Sequence, residues 1–244
     1  MKILQLNIWG GRLHRQIIRL IEKEQPDILC LQEVVRLPGQ EAVFISTLEE
    51  LQDELQFKYV FFAPLFSFNY MNRTAELGNC IMSKHPIKSE YTEFTNLAYT
   101  ENLDFTETDD YNVRNFQHAV IEILDNLFHV INHHGHHLRE HKNGDESTMR
   151  QTTRIAAYIE GLVGPKILCG DFNLKPESTS LEPINSVLIN HVKETGVIST
   201  RTPLTHKTEA CDYIFTSDDI VVKRFEVLDD IASDHKALVV ECEL

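Results

Sequence analysis

No run in this chain approaches the roughly 20 apolar residues of a membrane-spanning helix, so no span is expected. Cysteine is sparse. The five, Cys30, Cys80, Cys169, Cys211 and Cys242, are odd in number and show no CxxC spacing, and each sits in an apolar, strand-like context. That disfavours thiolate zinc sites and a disulfide framework and leaves buried, reduced thiols. Basic residues are in deficit: Lys plus Arg number 23 against 37 Asp plus Glu, a net charge of −14. A protein that grips long duplex DNA by its backbone carries a basic stripe, and none of any length occurs here. Tight non-specific DNA binding is therefore not expected, although a metal can neutralise a nuclease site locally. Gly/Ser linkers, internal repeats and low-complexity tracts are also missing. Met1-Lys2 runs directly into the strand-like Ile3-Leu4-Gln5-Leu6, without a leader pattern, so a cytoplasmic location is expected.

What is present is an ordinary soluble composition, 42% apolar and 25% charged, over 244 residues. Strand-like and helix-like segments alternate. Residues 3–8, 28–31, 57–63, 79–83, 116–124, 128–132, 167–169, 212–216, 221–228 and 237–241 read as strands, with a hairpin at Asp125-Asn126. Residues 12–24, 40–55 and 148–162 carry apolar residues at helical spacing, and Pro26 closes the first helix. The longest irregular stretch spans 91–112, with acids at Glu93, Glu101, Asp104, Glu107, Asp109 and Asp110. The expected fold class is α/β: a four-layer αββα sandwich of two packed mixed β-sheets flanked by helices. Candidate site residues run from Asn7 to His235, so the whole chain, 1–244, is expected to fold as one domain and to act as a monomer.

The most informative motif is Gly170-Asp171-Phe172-Asn173, which follows the apolar run Lys166-Ile167-Leu168-Cys169. An acid and an amide two residues apart at a strand's carboxyl end share one face, with Phe172 on the other. In layered α/β folds reacting groups converge at such ends. Four further polar clusters sit at strand ends: Asn7 after Leu6, Gln32-Glu33 after Leu31, Asn132-His133-His134 after Ile131, and Ser233-Asp234-His235 before the last apolar run.

The ordered set Asn7, Gln32-Glu33, His134, Gly170-Asp171-Phe172-Asn173, Asp212-Tyr213-Ile214-Phe215 and Ser233-Asp234-His235 resembles the endonuclease/exonuclease/phosphatase superfamily. That group includes pancreatic deoxyribonuclease, AP endonucleases, neutral sphingomyelinases and inositol-phosphate phosphatases. The resemblance implies a divalent-metal-dependent phosphate-ester hydrolase. It assigns Glu33 as metal ligand, with Asn7 beside it and Asp234 as a metal- or water-linked acid. Asp171 aligns or deprotonates the attacking water. Asn173 steadies the pentacovalent phosphorus and so also binds substrate. His235 contacts the scissile phosphate, Asp212 orients that histidine, and His134 acts as an acid. One departure concerns Trp9, which stands where AP endonucleases carry Asp. The run Asn7-Ile8-Trp9-Gly10 looks more like the neutral sphingomyelinase pattern.

This set suits phosphodiester chemistry. Water must be aligned opposite the leaving oxygen, phosphoryl charge neutralised, and the leaving alkoxide protonated or bound. Oxygen donors in small number suit Mg²⁺, with Mn²⁺ as a substitute, better than zinc. Arg114 is a candidate phosphate clamp. The cluster His133-His134-Gly135-His136-His137 with His141 reads as one catalytic histidine among cleft-mouth neighbours, and Glu76 as a possible partner for His134. Phe66, Phe68 and Tyr70 read as a loop that packs, stacks on a base or meets a lipid. The expected substrate is a nucleic-acid or nucleotide phosphodiester, with a phospholipid head group as the alternative. An inactive binding protein is disfavoured because the catalytic set is complete.

Overall fold

The computed structural model describes residues 1–38, 47–107 and 112–243. Two mixed sheets of six strands pack face to face. With strands numbered along the chain, the first sheet runs in the order β11 (Val222–Val227), β12 (Leu238–Cys242), β1 (Lys2–Asn7), β2 (Ile28–Arg36), β4 (Arg73–Ser83), β3 (Tyr59–Tyr70). The second runs β5 (Ile87–Asn96), β6 (Arg114–Ile123), β7 (Asn126–His134), β8 (Lys166–Asp171), β10 (Asp212–Thr216), β9 (Ile189–Asn190). Helices α1 (His14–Glu24) and α2 (Leu48–Leu55) cover the first sheet. Helix α3 (Glu146–Glu160) lies against the second, and the short α4 (Glu182–Asn185) and α5 (His191–Glu194) follow β8 and β9. This is the expected sandwich.

Each sheet contains one parallel pair, β1 with β2 and β7 with β8. A parallel pair needs a crossover, and α1 supplies it in one sheet, α3 in the other. The carboxyl ends of the two pairs carry Asn7 beside Gln32 and His134 beside Asp171. The site is therefore built where two βαβ units bring their strand ends together across the sandwich.

Side-chain alternation sorts the layers. On β1, Leu4 and Leu6 pack toward α1 with Ile17 and Ile21, while Ile3 joins the core between the sheets. Gln5 and Asn7 share the Ile3 face. On β2, Leu29 and Leu31 face the helices, and Ile28 and Cys30 face the opposite sheet. A buried amide seam crosses between the sheets. Gln5 Nε2 donates to Gln32 Oε1 at 2.9 Å, Gln32 Nε2 to Asn132 Oδ1 at 2.6 Å, and Asn132 Nδ2 to Gln117 Oε1 at 2.9 Å. These bonds offset most of the cost of burying the amides and fix how the sheets sit, while Gln5 Oε1 has no partner among the described residues.

Several elements differ from the sequence reading. Strand β2 does not end at Leu31 but continues to Arg36, β4 starts at Arg73, and β3 continues to Tyr70, so Phe66, Phe68 and Tyr70 lie on a strand. The irregular stretch from 91 begins as strand β5, where Tyr91 opposes His118 and stacks on Tyr158, with centroids 5.2 Å apart. Its acidic, polar composition is that of a sheet edge. Asp109 and Asp110 lie outside the described residues. The helix expected over 40–55 begins at Leu48, because Thr47 and Glu50 form a capping box; residues 40–46 lie outside the described residues.

Candidate active site

Glu33 does not end its strand. Alternation would send it to the helix side, because Gln32 already faces the opposite sheet. Between Leu31 and Val34 the register with β4 slips, and Glu33 adopts φ +56°. This bulge reverses the phase of the strand and turns the carboxylate into the cleft. Asn7 Nδ2 donates to Glu33 Oε1 at 3.1 Å and to Asp171 Oδ2 at 3.2 Å, while its Oδ1 accepts the Trp9 N–H at 3.0 Å. Asn7 thus presents its nitrogen to the two carboxylates and orients them, with its oxygen already engaged.

Asp171 ends β8, where Gly170 permits the approach of β7: a Cβ there would lie 2.0 Å from the His133 carbonyl oxygen. Asp171 Oδ1 accepts the Asn173 N–H at 2.9 Å. Its Oδ2 lies 3.6 Å from His235 Nε2 and 3.8 Å from His134 Nε2. Burial alone would raise this carboxyl's pKa; His235, His134, Arg201 and Lys142 outweigh burial and hold it well below the usual range. Phe172 points away from the cleft and packs edge-on against His133, Tyr213 and Phe215. Asn173 sits at φ +54°, a conformation Asn tolerates. Its Oδ1 accepts from Lys142 Nζ at 2.7 Å, and its Nδ2 makes a long 3.3 Å contact to the Gly135 carbonyl.

Asp212 is fully buried and its two oxygens lie 3.0 and 2.9 Å from His235 Nδ1. Thr200 Oγ1 donates to Asp212 Oδ2 at 2.6 Å. The Arg201 guanidinium meets Nε2 of the same imidazole. Burial and Arg201 oppose charge on His235, but the Asp212 and Asp171 carboxylates outweigh them, and its pKa is raised. His134 behaves oppositely. Burial, then the Arg114 cation, pushes its pKa well down, so the ring is neutral at pH 7. Its Nε2 lies 3.8 Å from Asp171 Oδ2, and its Nδ1 has no hydrogen-bond partner among the described residues.

Glu33, His134, Asp171, Asn173, Asp234, His235 and Arg114 line one pocket of about 270 Å³, together with Arg201, Lys207 and His137. Arg114 opens β6, and its Nε donates to the Gly135 carbonyl at 2.7 Å. The other histidines disperse: His133 is buried against the Asn115 carbonyl, His136 meets Asn96, and His141 is exposed. Glu76 does not reach His134. It pairs with Arg36 and accepts from Tyr99.

Sequence reasoning passed over Lys142, Arg201 and Thr200. Lys142 is 7% exposed, and burial lowers its pKa to about 8. Arg201 is brought in by pairing of its backbone segment with His235. Neither stands in a periodic segment, so their spacing carried no signal.

Two arrangements suit a cation. Asp171, Asp212 and His235 have ligand atoms within 4.8 Å of one another, but His235 and Arg201 already supply positive charge there. Glu33 and Asp234 line the same pocket and stand outside that triad. Burial raises the Glu33 pKa, and the Asp171 and Asp234 carboxylates push it further up. Hard oxygens in mutual repulsion fit a divalent cation.

A double sheet with this cluster of carboxylates, amides and imidazoles at its strand ends defines the class of hydrolytic phosphoesterases. The sequence profile of the Endonuclease/Exonuclease/phosphatase family matches residues 4–235, and the chain belongs to that family. Its fold is similar to an endonuclease/exonuclease/phosphatase from Bacteroides vulgatus, at 19% identity and TM-score 0.75, over 100% of this chain and 98% of the other. It is also similar to the human Nocturnin catalytic domain with bound sulfate, at 18% identity and TM-score 0.71, over 100% and 93%. A mannosyl-6-phosphatase of Bacteroides thetaiotaomicron gives 16% identity and TM-score 0.72, over 100% of both chains. No curated protein sequence matches the chain.

Proposed function

We propose that this protein is a Mg²⁺-dependent phosphodiesterase that cleaves nucleotide or nucleic-acid phosphodiesters by in-line attack of water. The supporting observation is the Asp171 carboxylate bracketed by Asn7, Asn173, His134 and His235 at the wall of one small pocket. Glu33 and Asp234 would hold the cation, with Asn7 fixing the glutamate. When bound, Mg²⁺ supplies Lewis-acid activation and neutralises charge on the phosphoryl oxygens.

The chain's own groups do the rest. Asp171 is ionised at neutral pH and is a weak base, so its first task is to hold and align the attacking water. Lys142 occupies Asn173 Oδ1, which leaves the amide nitrogen to donate to the phosphorane oxygens as charge builds. A phosphoryl oxygen would sit where the Arg201 guanidinium and His235 Nε2 meet at the pocket wall, with Arg201 supplying positive charge. Asp212 holds the imidazole ring in the required orientation. As water bonds to phosphorus and the bond to the leaving oxygen breaks, the proton that the water gives up ends on that oxygen, which a ring N–H of His134 would hydrogen-bond, and Arg114 and Lys207 add positive charge to the pocket.

A substrate panel in Mg²⁺, Mn²⁺ and EDTA tests the reading: dinucleotides, single-stranded and duplex DNA, RNA, sphingomyelin, inositol phosphates and bis-p-nitrophenyl phosphate. Hydrolysis of nucleotide diesters that EDTA abolishes is expected. Turnover of sphingomyelin alone, or turnover unaffected by EDTA, contradicts it.

A further inference from the structure

A second cavity opens off the catalytic pocket. Its volume is about 730 Å³, and Trp9, Glu33, Arg114 and His134 line both spaces. The two form one cleft. A diester carries two groups on phosphorus, so with the phosphorus beside Asp171 one of them must lie toward this cavity.

The floor of the larger cavity is aromatic. Phe66, Phe68 and Phe105 meet edge to face in a triad with centroids 6.2, 5.8 and 5.9 Å apart. Phe66 is anchored at 3% exposure, whereas Phe105 is 52% exposed. Tyr70 lies beside them, and Arg12 and Arg139 stand on the wall. The Arg12 guanidinium lies over the Trp9 ring, 4.5 Å from its centroid. Aromatic faces under a rim of guanidinium groups suit a flat ring joined to an anion. An acyl chain would have to desolvate Arg12 and Glu33 without pairing them, at a cost. A long polyanion would meet a protein of net charge −14 beyond the cleft.

We infer that this cavity is a base-binding subsite, and that the substrate is a small nucleotide whose purine or pyrimidine ring stacks at Phe105 and Phe68. The inference rests on the phosphodiesterase reading above and narrows its substrate to a nucleotide diester no larger than a dinucleotide.

The test is calorimetric binding of AMP and of ribose 5-phosphate, which differ by the base alone, in the presence of Mg²⁺. AMP is expected to bind about 5- to 150-fold more tightly, the range that stacking of one base supplies. It is also expected to perturb the fluorescence of Trp9, the chain's single tryptophan. Phe105→Ala and the similarly apolar Phe105→Leu should both cut the AMP advantage and leave ribose 5-phosphate binding unchanged. Equal affinities for the two ligands, or a full advantage retained in Phe105→Leu, would overturn the subsite. So would tighter, Phe105-dependent binding of dihexanoyl phosphatidic acid, which would assign the cavity to lipid. Hydrolysis of bis-p-nitrophenyl phosphate separates the two readings. If that ester is cleaved while AMP has no advantage, the subsite fails and the hydrolase stands. If AMP shows its Phe105-dependent advantage and no ester is cleaved, the subsite stands and the hydrolase reading falls.

Discussion

Asp171 and Asp212 stand directly opposite one another on the neighbouring antiparallel strands β8 and β10. Like charges in that register repel, and both residues are buried. His235 answers the repulsion, with Nδ1 on Asp212 and Nε2 3.6 Å from Asp171. The two acids thereby keep different tasks: one orients an imidazole, the other faces the cleft. Asp212→Asn keeps the size of the side chain and removes the charge. It is expected to lower kcat by on the order of 10²–10⁴, the usual worth of a positioned acid–base group, with a smaller loss in Thr200→Val. Steady-state kinetics of the two variants check the ranking; a larger loss in Thr200→Val would reverse it.

Glu33 gains its position from a bulge rather than from its strand's end. Glu33→Gln preserves the backbone and its hydrogen bond from Asn7, and removes the charge. The Mg²⁺ concentration for half-maximal activity should rise at least tenfold while the melting temperature stays within a few degrees. A metal titration with paired thermal melts decides this; unchanged half-saturation would remove Glu33 from the metal site.

Lys142 gives the site an alkaline limit. Burial lowers its pKa to about 8, so the ammonium that holds Asn173 Oδ1 is present below that pH and is lost above it. Activity should therefore fall as pH rises through about 8. Lys142→Arg, charged at all these pH values, should move the limb upward. Lys142→Met should lower kcat and abolish the limb. A pH–rate profile identical in all three proteins would show that Lys142 only packs.

The parts of the site that were legible in the sequence are those where polar residues interrupt apolar strands. Asn7, Asp171, Asn173, Asp212 and His235 fall at such breaks, and the structure gathers all five around one cleft or directly behind it. Other parts carried no local signal. A left-handed Glu33 inside a strand cannot be told from a strand end, because the extra residue shows only against the partner's register. Lys142 and Arg201 look like surface cations until folding buries them at 7% and 6% exposure. Gln5 and Gln32 look like ordinary strand residues until the second sheet brings Asn132 and Asp212 against them. The edge strand β5 was hidden by its own acids.

The central claim is that Asp171 holds the attacking water, and the kinetics and thermal stability of Asp171→Asn in saturating Mg²⁺ test it most directly. Its charge faces the buried Arg201 and Lys142 as well as the two imidazoles, so neutralising it leaves those two cations less compensated and the melting temperature should fall modestly. The protein should still fold and bind substrate with little change in KM, and kcat should drop by on the order of 10²–10⁴. A folded variant that retains most of its turnover, or one whose activity disappears only in proportion to the fraction unfolded, would contradict the account.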